Sequence, residues 1–107
     1  MGKKQFSKGK RGELEVASIL AEYGYPVIRG ASQNYGTEPD LRGLPGIHIE
    51  VKRQERLNLA DAIEQASRDS KKFGGLPAVF HRASRTRWKV TMYLDDWMKI
   101  YTADLKG

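Results

Sequence analysis

Asp40, Glu50 and Lys52 are the residues whose types and spacing could do chemistry together. Glu50 and Lys52 lie two apart in Ile47-His48-Ile49-Glu50-Val51-Lys52, where apolar and polar residues alternate. That is the period-2 pattern of a strand with one buried face, and it projects Glu50 and Lys52 side by side from the polar face. Asp40 lies ten positions before Glu50, after Pro39 and ahead of the turn-forming Gly43-Leu44-Pro45-Gly46. Hard divalent cations such as Mg²⁺ or Mn²⁺ take carboxylate and carbonyl oxygens. Asp40 and Glu50 offer two, and the Val51 carbonyl a third. Lys52 brings an ammonium to the same face, beside an attacking water or a phosphate. This is a donor set for metal-assisted phosphodiester hydrolysis. Gln65 and Arg53 are auxiliary candidates for contacts to the lysine or the substrate phosphate.

Glu50-x-Lys52 alone is weak, because ordinary charged-residue frequencies produce roughly 0.4 Glu-x-Lys matches in a chain of this length. Its weight comes from Pro39-Asp40, the Gly/Pro turn, the strand pattern and Glu13. The competing reading is a solvated strand face, and His48 reads as part of one.

The elements that must position these residues follow from the chain in order. Residues 1–7 read as a basic flexible arm, and residues 8–107 as a single domain. A first helix begins within Ser7–Arg11 and runs to about Tyr23, ending at Gly24. Val16, Ala17 and Leu20 share its buried stripe with Glu13, flanked by Leu14, Ile19, Ala21 and Tyr23, while Glu15 and Glu22 fall on the polar side. Glu13 either meets a cation or a metal there, or merely favours the helix N-terminal dipole. Strands are expected over Tyr25–Arg29, Glu38–Arg42 and the motif to about Gln54, with a polar loop from Gly30 to Gly36. Asn58 caps a second helix over Leu59–Phe73, with Leu59, Ala62, Ile63, Ala66 and Phe73 buried, Gln65 and Asp69 at the stripe's edge, and Gly74-Gly75 ending it. Strands over Pro77–His81 and Trp88–Leu94 follow, then a short helix from Trp97 to about Ala103 after Asp95-Asp96. The fold class is α/β (α+β), a central mixed sheet of about five strands flanked by helices.

The 19 Lys and Arg against 13 Asp and Glu give a net charge of +6. Lys3, Lys4, Lys8, Lys10 and Arg11 precede any acid, and Arg82, Arg85, Arg87 and Lys89 form a second cluster. Such patches favour a polyanion through phosphate contacts and counterion release. There is no cysteine, which excludes disulfides and thiolate metal sites. No apolar run is long enough to span a membrane, and no apolar h-region follows the basic start. A cytoplasmic protein of a bacterial, archaeal or phage-infected cell is expected.

With these residues in view, Lys8-Gly9-x-x-x-Glu13, Pro39-Asp40 and Ile49-Glu50-Val51-Lys52 resemble the PD-(D/E)xK nuclease superfamily. The nearest likeness is to the branch of archaeal-type Holliday junction resolvases and small phage nucleases. The resemblance runs from Lys8 to about Trp97. It implies a restriction-endonuclease-like core and a Mg²⁺-dependent endonuclease, often dimeric, acting on branched DNA. By position it casts Glu13, Asp40 and Glu50 as metal-associated acids and Lys52 as the catalytic lysine. Ser32 and Gln33 fall where such proteins carry a loop that touches the DNA backbone. Leu14 stands where the resolvases commonly carry a basic residue.

Two alternatives remain open at this level. One is a nuclease of linear duplex or single-stranded DNA in repair, restriction or phage DNA processing. The other is a non-catalytic nucleic-acid-binding module using the basic clusters, with Tyr35, Trp88 and Tyr93 as stacking surfaces. The acids argue against the module, since carboxylates in a DNA groove repel phosphate unless a cation intervenes.

Overall fold

The computed structural model describes residues 2–30 and 38–106, with side-chain surroundings for residues 9–30 and 38–103. The element order is α1 (Gly2–Glu22), β1 (Ile28–Arg29), β2 (Leu41–Arg42), β3 (Ile47–Arg53), α2 (Leu59–Phe73), β4 (Leu76–Arg82), β5 (Lys89–Thr91) and α3 (Leu94–Lys106). The strands form one mixed sheet in the order β1-β2-β3-β4-β5. All neighbours are antiparallel except β3 and β4, which run parallel from Ile47↔Leu76 to Arg53↔Arg82. A parallel pair needs a crossover connection, and α2 supplies it.

Helix α2 has the limits its sequence signals. Asn58 Oδ1 accepts from the Asp61 N–H at 3.1 Å, and Gly74 ends the helix at φ 86°, a backbone conformation that favours glycine. Helix α1 differs. It starts at Gly2, so the stretch expected as an arm is helical, and Glu13 lies well inside the helix rather than in its first turn. The N-terminal dipole therefore does not explain Glu13. Helix α3 starts at Leu94 rather than Trp97, because the Trp97 N–H already bonds the Tyr93 carbonyl at 3.0 Å. Asp95 and Asp96 thus form its first turn, where carboxylates complement the helix dipole.

The central strands are covered on both faces. On one face Ala62, Ile63 and Ala66 of α2 pack on Val79, with Leu57 and Leu59 at the margin. On the other, Val16 of α1 packs on Leu41 and Ile49. Gly12 allows this approach, since a Cβ there would lie 3.1 Å from Arg53 Cβ and 3.4 Å from Val51 Cγ1. The buried stripe of α1 is narrower than the wheel suggests, and Leu14 and Ile19 are exposed. Phe73, expected inside, is also exposed, at the end of α2 where the chain turns away.

Glu15 overturns its assignment to a solvated face. Its carboxylate lies 3.4 Å from Arg53 Nε and 3.5 Å from Arg82 Nε, and it accepts from Trp88 Nε1 at 3.2 Å. Arg53 and Arg82 are register partners at the ends of the parallel pair, so two partly buried guanidiniums meet there and one carboxylate bridges them, offsetting part of their repulsion. Arg82 also stacks over the Trp88 ring at 5.7 Å. Glu15→Gln is expected to cost about 1–3 kcal/mol, because it leaves like charges facing each other. Urea melts of the metal-free protein would read this, and an unchanged midpoint would count against the clamp.

Helix α3 leaves much of its apolar surface open. Leu94, Trp97, Met98, Ile100 and Tyr101 are exposed, and Trp97 stacks on Tyr101 at 5.1 Å. Leu94, Trp97 and Ile100 line a groove of about 510 Å³ with Ile47, Ala78, Phe80 and Val90 of the sheet.

Candidate active site

The register of β2 on β3, Leu41↔Ile49, sets Asp40 opposite Glu50 across an antiparallel pair. The backbone around Asp40 is fixed on both sides: its N–H bonds the Ile49 carbonyl at 2.8 Å, and its carbonyl accepts from Gly30 N–H at 3.0 Å. Its side chain accepts from the Val51 N–H at 2.7 Å through Oδ2. The carboxyl pKa is nonetheless pushed up to about 7. Burial is the largest cause and the Glu50 charge the next; the Val51 N–H pulls down, Glu13 pushes up and Lys52 pulls down. Asp40, Glu50, Glu13 and Lys52 therefore share one electrostatic neighbourhood. Among the described residues, no Lys or Arg forms an ion pair with Asp40 or Glu50, and none of the carboxylates pairs with Lys52.

Glu13 has a partner of the cationic kind: Arg29 Nε lies 2.6 Å from its Oε1. Glu50 is buried, and its Oε2 is 2.9 Å from Nε2 of His48, which is 1% exposed. His48 is thus not on a solvated face. Asp69 of α2, also buried, reaches the same place, and one ligand atom from each of His48, Glu50 and Asp69 lies within 4.8 Å of the others. Helix α2 covers the polar side of β3, which strand alternation cannot reveal. The readable signal was weak: His48 shares a strand face with Glu50, and Asp69 follows Ala66 by one helical turn.

The remaining candidates are dispersed. Gln65 is exposed on α2. Arg53 is committed to Glu15 rather than open to a phosphate. Lys10 and Arg11 are exposed on α1, and Arg85 and Arg87 are exposed around the β4–β5 turn, with Arg85 at φ 63°. Ser32, Gln33, Tyr35 and the side chain of Lys8 lie outside the described residues. Trp88 is taken up by Glu15 and Arg82, so it is not a free platform for a base.

The donor chemistry fits a hard divalent cation. Two carboxylates face each other across a strand pair, burial and the second carboxylate raise the pKa of one, and neither forms an ion pair with a described Lys or Arg. Oxygen donors with uncompensated negative charge are what such an ion requires.

A family model described as archaeal Holliday junction resolvase (Hjc) matches residues 4–106. The chain belongs to this family. A solved structure of Hjc, a Holliday junction resolvase from the archaeal hyperthermophile Archaeoglobus fulgidus, is similar to it at 30% identity. That match covers 79% of this chain and 72% of the other, with a TM-score of 0.62. No curated protein sequence matches. The Hjc family lies within the PD-(D/E)xK superfamily, as the motifs imply, and the five-strand mixed sheet with flanking helices is its architecture.

Proposed function

We propose that this chain is a divalent-metal-dependent endonuclease that cuts branched DNA at Holliday-type junctions. The observation that carries the reading is Asp40, held at a pKa of about 7 opposite Glu50, with Lys52 beside it, in a chain of the Hjc family. Asp40 and Glu50 would hold Mg²⁺ or Mn²⁺, with the Val51 carbonyl as a further oxygen. When bound, such an ion supplies a polarised phosphate oxygen and a water acidified for attack. Lys52, in no ion pair with a described residue, neutralises charge that develops on the phosphate. Glu13, neutralised by Arg29, acts from outside the ligand set and positions the wall behind Asp40. Lys10, Arg11, Arg85 and Arg87 contact DNA phosphates, and the family resemblance adds backbone contacts by Ser32 and Gln33, which lie outside the described residues. Gln65 is kept as an outlying contact to substrate.

The test is cleavage of a four-way junction beside linear duplex and single strands of the same sequence, in Mg²⁺ and in EDTA. Cutting of the junction in Mg²⁺ alone is expected. Equal cutting of linear duplex would overturn the junction preference, and cutting in EDTA the metal dependence.

The same reading includes a homodimer. A four-way junction has two-fold symmetry, and a dimer would present two sites to it. The open apolar face of α3 suits an isologous contact of this kind. Light scattering is expected to give twice the chain mass for the parent protein and the chain mass for Trp97→Asp at equal concentration. A monomeric parent would sink the dimer. The reaction places the protein with the cell's DNA, and no described helix is long and apolar enough to cross a membrane.

A further inference from the structure

His48, Glu50 and Asp69 pose a problem of charge that the nuclease reading does not absorb. All three are more than nine-tenths buried, at 1%, 6% and 8% exposure. Among the described residues one hydrogen bond, from His48 Nε2 to Glu50 Oε2 at 2.9 Å, serves the group. His48 Nδ1 and Asp69 Oδ2 are buried with no hydrogen-bond partner among the described residues. Neither acid has a Lys or Arg partner among the described residues. A buried carboxylate oxygen without a partner is costly, and here a second buried carboxyl, bonded only to an imidazole, lies beside it.

We propose that His48, Glu50 and Asp69 form a second cation site, distinct from the Asp40–Glu50 position and sharing Glu50 with it. The ligand atoms already lie within 4.8 Å of one another, so small side-chain rotations bring them around one ion. The donor set selects the ion. An imidazole nitrogen with two carboxylates suits a borderline transition cation of the Zn²⁺ type, whereas Mg²⁺ prefers all-oxygen surroundings. Strand β3 supplies two ligands at alternate positions of one face, and α2 supplies the third from its buried side. The site rests on the nuclease reading only for the role of Glu50, since binding is read without DNA.

Equilibrium dialysis of the untagged full chain against Zn²⁺ alone tests it, with His48→Asn, Asp69→Asn and Asp40→Asn compared. Zn²⁺ affinity is expected to fall at least ~100-fold in the first two, more than the loss of an outer-shell partner produces, and to survive in Asp40→Asn. Unchanged affinity in folded Asp69→Asn overturns the proposal. Zn X-ray absorption on the parent protein needs no variant. One imidazole nitrogen is expected, and the chain's other histidine, His81, is engaged with Thr91 at 2.9 Å. Only oxygen ligands around the ion, or persistence of the nitrogen signal in His48→Asn, also overturns it. Junction cleavage in Mg²⁺ stands or falls separately from either result.

Discussion

Glu50→Gln is expected to lower junction cleavage in Mg²⁺ by roughly 10³-fold or more while leaving junction binding within a few-fold of the parent. The substitution keeps the shape of the side chain and an oxygen that can accept from His48 Nε2, so the buried hydrogen bond survives. What it removes is the charge that faces Asp40 across β2 and β3. Binding is proposed to depend instead on the basic residues of α1 and the β4–β5 turn, and one fewer acid facing the DNA reduces repulsion of phosphate. Single-turnover cleavage rates and binding measured in EDTA separate the two effects. A variant that still cuts at the parental rate would remove Glu50 from the mechanism.

Asp40→Asn should also lose cleavage, yet it is expected to stabilise the metal-free protein. The sign follows from the raised pKa. An unfolded Asp loses its proton near 3.8, whereas folded Asp40 keeps it to about 7. Between these values the native state binds the extra proton, so stability is fully present below pH 4 and falls as pH rises to about 7. The loss amounts to about 4 kcal/mol at most, since each pH unit in the window contributes ~1.4 kcal/mol. Asn carries no such penalty and can still accept from the Val51 N–H. Urea melts in EDTA at pH 5 and pH 8 are expected to show the variant flatter with pH and more stable at pH 8. Added Mg²⁺ should reverse the order at pH 8, because only the parent has the carboxylate to bind it. Parallel pH profiles for the two proteins would refute the assignment.

Both expectations concern residues legible in the sequence. Alternation over Ile47–Lys52 marked β3, Asn58 and Gly74 bounded α2, and Pro39-Asp40 with Glu50 and Lys52 named the chemistry. Less legible were contacts that depend on how elements cross. A helical wheel gives the angle of Glu15 but not the two arginines that strands β3 and β4 bring to the same end. Strand alternation marks His48 as polar-facing, and a polar face is ordinarily solvated. Only the docking of α2 turns that face into an interior and carries Asp69 onto it. Glu13 shows the intermediate case: its need for a partner followed from its place on the stripe, while the identity of that partner, Arg29, required the position of β1.

The sheet order, β1 to β5 in chain sequence, bears on how the molecule assembles. Each strand finds its neighbour in the next strand along, so most loop closures are short and entropically cheap. The exception is β3 with β4, which must wait for the intervening helix to form and dock. The first half of the chain alone brings Asp40, Glu50 and Lys52 together on the β2–β3 hairpin, with α1 packed on its other face. Docking of α2 and β4 joins the halves and withdraws the His48–Glu50 side of the hairpin from water. Local pairing brings the reactive groups together, and the long-range pairing of β3 with β4 buries them.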